Sequence, residues 1–192
     1  MRIRLAKNES QARELAAQLL RRLPKLDGAP LELRFRRALR ASQGRLLEDG
    51  SAGMPVHAAS FLRKRVIVLD GELLRRRQEF ERILAHELFH FVWLRLGNPL
   101  RWSFERQLAN EAARGARGEL GWSAELRKRG LERQDRETRS RRWREYACES
   151  FCDTAAWLFS RRRRHDEFTL ARRWREERRR WFGSIAGRVL RI

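Results

Sequence analysis

The sequence predicts an α+β fold, compact and mainly helical with a small N-terminal β-sheet, and three observations carry that expectation. Apolar residues recur at helical spacing through most of the chain beyond residue 72. Ahead of them lie two short strand-like runs, Leu31–Phe35 and Val66–Leu69. Proline and glycine fall mostly between these patterned stretches rather than inside them. At 192 residues, 42% of them hydrophobic, the chain suits one domain, 1–192, with a sizeable core.

The elements follow in order. Residues 9–22 place Ala12, Leu15, Ala16, Leu19 and Leu20 on one helical face, with Asn8 or Ser10 as N-cap and Pro24 as the stop. From Leu31 the period becomes two, with Leu31, Leu33 and Phe35 alternating with charged residues, so a strand is expected. The polar, glycine-containing segment from Ser42 to Pro55 reads as a mobile loop or hairpin, with a short strand near Arg45–Leu47. Val66–Leu69 is β-branched and is closed by the turn pair Asp70-Gly71. A helix is expected from about Glu72 to Leu96, ended by Gly97, Asn98 and Pro99. Residues 100–138, interrupted by Gly115, Gly118, Gly121 and Gly130, predict broken helices and loops. Two further helices are expected, from Ser140 to Phe159 and from Asp166 to Phe182.

Charge is the outstanding feature of composition. The formal net charge is +20, and of the basic residues only Lys7, Lys25, Lys64 and Lys128 are lysine. Such a surface suits nucleic acid or another polyanion. Arginines spread along the whole chain are equally explained by an arginine-biased composition. The two cysteines, Cys148 and Cys152, share one helix face at a spacing that does not readily make a disulfide, so they read as small core residues, with a Cys ligand left open. No stretch is apolar for long enough to span a bilayer and the N-terminus lacks an apolar targeting segment, so the expectation is a cytoplasmic protein without membrane contact.

The chemistry concentrates in Leu84-Ala85-His86-Glu87-Leu88-Phe89-His90. Residues four apart share a helix face, so His86 and His90 can present two imidazoles to one Zn²⁺, and Glu87 can serve as general base on the activated water. A catalytic zinc normally has three protein ligands. A metzincin completion would need Gly and His where the chain has Trp93 and Leu96, which excludes it. Of the remaining histidines, His57 precedes the motif and His165 follows an arginine run. The better third ligand is Glu149, a carboxylate on an otherwise apolar and small-residue helix. Asp153, one turn later, can accept the other ring N–H of a ligating histidine.

His-Glu-x-x-His on one helix and Glu-x-x-x-Asp on another, about sixty residues further on, resembles the gluzincin pattern of thermolysin-type peptidases. The small size, the run Arg82–His90 and the run Glu149–Leu158 are more similar to the compact ImmA/IrrE-type zincins. Phe89 stands where that family usually has Gly, and Cys152-Asp153 where it has Ala-Asn. The resemblance implies a zincin-like fold with the sheet beside the motif helix, zinc at His86, His90 and Glu149, and Glu87 as base.

The expected function is therefore a zinc metallopeptidase. Its protein or peptide substrate would lie along the Val66–Leu69 strand, with Tyr146 or His57 donating to the developing oxyanion. A reading from another class is an arginine-rich nucleic-acid-binding protein with a structural or vestigial metal motif, or a DNA-associated protease. In it the C-terminal arginines would grip phosphates while Trp174 and Trp181 stack on bases.

Overall fold

The computed structural model describes residues 1–6, 9–42, 45–47 and 53–192. Strands dominate its first third and helices the remainder, an α+β architecture. In chain order the elements are β1 (Ile3–Arg4), α1 (Ser10–Leu20), β2 (Leu26–Asp27), β3 (Leu31–Arg36), β4 (Arg40–Ser42), β5 (Arg45–Leu47), β6 (Met54–Pro55), β7 (Ala58–Phe61) and β8 (Val66–Asp70). They continue with α2 (Arg77–Arg95), α3 (Asn98–Ala113), α4 (Trp122–Arg129), α5 (Arg133–Glu137), α6 (Arg141–Phe159), α7 (Arg172–Ala186) and β9 (Leu190–Arg191).

The main sheet has the order β1-β3-β8-β7. β3 and β8 run parallel with Leu33 opposite Ile67, and β7 runs antiparallel to β8 with Ser60 opposite Ile67. Val66 to Leu69 are all buried, as a continuous apolar run in a central strand should be. This corrects one expectation. β8 is paired on both sides, and the edge beside the motif helix is β7. Its sequence, Ala-Ala-Ser-Phe, is short and without alternation, so periodicity could not reveal it.

Several boundaries also moved. The helix expected from Glu72 is broken. Residues Gly71–Arg75 make a 3₁₀ turn, capped where the Asp70 carboxylate accepts the Glu72 N–H at 3.0 Å, and α2 restarts at Arg77. Residues 100–138 are more regular than expected, because α3 runs unbroken to Ala113. Pro99, which blocks continuation of α2, is well suited to the first turn of α3. The last helix starts at Arg172 rather than near Asp166, since the Thr169 and Leu170 N–H groups both donate to the Glu119 carbonyl at 2.9 Å. Of the proposed caps of α1, Ser10 is its first helical residue, Glu9 takes the cap position, and Asn8 lies outside the described residues. Arg45–Leu47 is a strand, antiparallel to β4. Residues 43, 44 and 48–52 of the expected hairpin lie outside the described residues.

The core forms where α2 and α6 pack side by side. Phe151 is its centre, with ring centroids 5.7 Å from Phe89, 5.1 Å from Trp93 and 4.9 Å from Phe182. Phe89, where the resembled family has Gly, is fully buried in this aromatic cluster. Such pairs contribute about 0.5–1.5 kcal/mol each beyond area burial, which fixes the register of the two helices against each other. No helix among the described residues is long and apolar enough to cross a membrane.

Candidate metal centre

α2 presents His86 and His90 one turn apart, with ring centroids 4.8 Å apart and their Nε2 atoms separated by 3.1 Å. α6 brings Glu149 to the same point. Its Oε2 lies 3.3 Å from His86 Nε2 and 3.9 Å from His90 Nε2. A tetrahedral zinc with bonds of about 2.0–2.1 Å holds its ligand atoms about 3.3 Å apart, so the three spacings fit such a site. All three side chains are largely buried, at 12%, 17% and 13% exposure.

The groups behind these three side chains orient them. Asp153 Oδ1 lies 2.7 Å from His86 Nδ1 and leaves Nε2 as the free donor, while Asp153 Oδ2 accepts the Ala124 N–H at 3.1 Å. This carboxylate sits so close to the chain entering α4 that a Cβ on Gly121 would lie 2.3 Å from it, and only glycine permits the approach. If these groups hold zinc, replacing Asp153 with Asn should weaken its binding by about 10–100-fold, as read by competition with a chelating dye. An unchanged affinity would refute the orienting role. His90 Nδ1 is held differently, 3.5 Å from the Cys148 sulfur. The second oxygen of Glu149 takes Arg127 Nη2 at 3.2 Å.

Electrostatics reinforce the cluster. Burial pulls the His86 pKa down, but Asp153 and Glu149 outweigh it and hold it well above the usual imidazole value. Burial likewise raises Glu149, yet His86 and His90 bring it down to about 2. A cation entering here must displace any proton that His86 carries, so metal affinity falls as pH is lowered. The neighbouring Cys148 is lowered to about 6, by the Cys152 sulfur against burial and then by His90.

Glu87 is buried at the wall of a cleft of about 280 Å³ that His86, His57, Ala58, Ile83 and Trp122 also line. Its Oε2 accepts the Ser60 hydroxyl at 2.5 Å, so β7 clamps the carboxylate facing the cleft. Trp122, 51% exposed, also lines the cleft and adds apolar surface to its wall.

His86, Glu87, His90, Glu149 and Asp153 are therefore brought together, and Tyr146 is not. Its side chain is buried and its hydroxyl donates to Glu119 at 2.5 Å, inside an ionic network with Arg178. A hydroxyl engaged there cannot reach an oxyanion beside the histidines. His57, the alternative, does line the cleft. His165 lies 3.5 Å from Glu79, away from the centre. The two tryptophans of the nucleic-acid expectation are placed differently. Trp174 is buried with Arg114 and Arg173 stacked on it, and the Trp181 indole N–H donates to the Ser103 hydroxyl. Trp174 offers no free face to a base, while Trp181 is half-buried. The sequence reading missed Ser60 and Arg127, which carry no motif and reach the site only through the fold.

No protein-family model, no curated protein and no solved structure matches the chain.

Proposed function

We propose that this chain is a zinc-dependent metallopeptidase. The single observation that carries the reading is the convergence of His86 Nε2, His90 Nε2 and a Glu149 oxygen, 3.1–3.9 Å apart, with Glu87 adjacent on the cleft wall. Two imidazoles and one carboxylate are a donor set that zinc favours, and they leave a fourth position open. When bound, zinc lowers the pKa of water to about 7 and polarises a carbonyl. Glu87, oriented by Ser60, takes the proton of the attacking water and passes it to the leaving amine. His57 lines the same cleft and donates to the oxygen that gains charge. An extended peptide adds to the free edge of β7, where main-chain hydrogen bonds hold it and its side chains meet the cleft wall at Trp122.

Metal analysis of the purified chain tests the ligand set. About one zinc per chain is expected for the wild type and a large loss for Glu149→Ala. Full zinc occupancy in the variant would overturn the assignment.

A further inference from the structure

The structure uses both ring nitrogens of His90. Nε2 faces His86 and Glu149, while Nδ1 lies 3.5 Å from the Cys148 sulfur. A ligating histidine ordinarily gives its other N–H to a carboxylate or a carbonyl, as His86 does with Asp153. A thiol is a poor acceptor, so it is a weak anchor for that N–H. Cys152, one helical turn beyond Cys148, is fully buried, and its sulfur lies within 4.8 Å of that of Cys148. One donor atom from each of His90, Cys148 and Cys152 thus lies within 4.8 Å of the other two. An ion bonded to sulfur at about 2.3 Å and to nitrogen at about 2.0–2.1 Å holds those atoms about 3.5–3.8 Å apart, and the observed 3.5 Å separation matches.

We propose that His90, Cys148 and Cys152 form a second cation site, selective for soft thiophilic ions such as Cu(I), which shares His90 with the zinc centre and opposes its occupancy. Two thiolates and one imidazole, with no oxygen donor, reject hard cations and favour soft ones. Three donors suit an ion content with low coordination. Binding releases the protons the thiols carry and shifts the His90 ring proton from Nδ1 to Nε2, so the imidazole stays neutral and no electron is transferred. A protonated Nε2 has no lone pair to offer zinc, and two cations on one ring would also repel each other. The soft site stands on its own donors. Only the opposition between the sites rests on the zinc reading.

Titration of the metal-free full chain with Cd²⁺, a redox-silent soft probe, tests this. The wild type should develop a thiolate-to-cadmium ultraviolet band that saturates at one ion per chain. Glu149→Ala should keep the band, and Cys148→Ser and Cys152→Ser should each lose it while far-ultraviolet circular dichroism shows the fold retained. No band in the wild type, or an unchanged band in both serine variants, overturns the site whatever zinc does. One equivalent of Cd²⁺ should then reduce zinc affinity at least about tenfold more in the wild type than in Cys152→Ser, which reports direct exchange at the zinc centre alone. Equal losses in the two proteins overturn the opposition between the sites. A band in a wild type that takes up no zinc leaves the soft site standing and removes the zinc reading instead.

Discussion

On the proposed zinc-peptidase reading, replacing Glu87 with glutamine should leave zinc bound and reduce peptide hydrolysis by about 10²- to 10⁴-fold, the usual contribution of a positioned general base. The substitution conserves shape, and the amide oxygen can still accept the Ser60 hydroxyl that holds the native carboxylate at 2.5 Å. What disappears is the ability to take a proton from water and return it to the leaving amine. The carboxylate beside the imidazole nitrogens is that of Glu149, so metal content should not change. The measurement is cleavage of casein alongside zinc per chain, for wild type and variant. Undiminished proteolysis at equal zinc content would remove Glu87 from the mechanism.

The largest effect on stability is expected at Arg178. Its guanidinium is fully buried, bonded to Glu111 Oε2 and to Glu119 Oε2 at 2.7 Å each and to the Ser150 hydroxyl at 2.9 Å. Glu119 in turn accepts from Tyr146 and from Lys128. The network joins α3, α6 and α7 and fixes the segment of α6 that carries Glu149. Arg178→Met should cost about 3–5 kcal/mol, because two buried carboxylates lose their main counter-charge. That is a large fraction of the stability of an ordinary domain.

The effect should depend on pH. Burial pushes Glu119 up, but Arg178 brings it down to about 2, below its unfolded value of 4.5. A depressed carboxylate stabilises the fold above the unfolded pKa, and that contribution is lost as pH falls from 4.5 toward 2. Without Arg178 the burial contribution dominates and the folded pKa rises, so the variant gains relative stability as pH falls. Urea unfolding midpoints should therefore differ most near neutrality and draw together as pH falls through 4.5 toward 2. A gap that is constant with pH would show that the loss comes from packing and not from charge.

This network also marks a limit of reading along the chain. Tyr146 stands one turn before Glu149, so helical spacing alone places it near the metal ligands. Its orientation depends on Glu119, which precedes it by 27 positions, and on Arg178, which follows it. Partners so distant leave no periodic trace. The same holds for Trp174, which looks like a stacking residue beside arginines until the fold packs it inside.

By itself the sequence determined the α+β class, most of the helices, and a histidine pair with its glutamate on one helix face. These are local properties, set by periods of two and 3.6 residues that any window of the chain displays. It also brought Glu149 and Asp153 forward, because charge is out of place on an apolar helix and so signals a partner. The tertiary structure alone decided that β7 rather than β8 is the free edge and that Ser60 holds Glu87. It alone turned Tyr146 away from the site and placed the Cys148 sulfur against His90. Each of these is a contact between elements, chosen by how strands pair and helices pack, and neither choice is written in the spacing of residues along one segment.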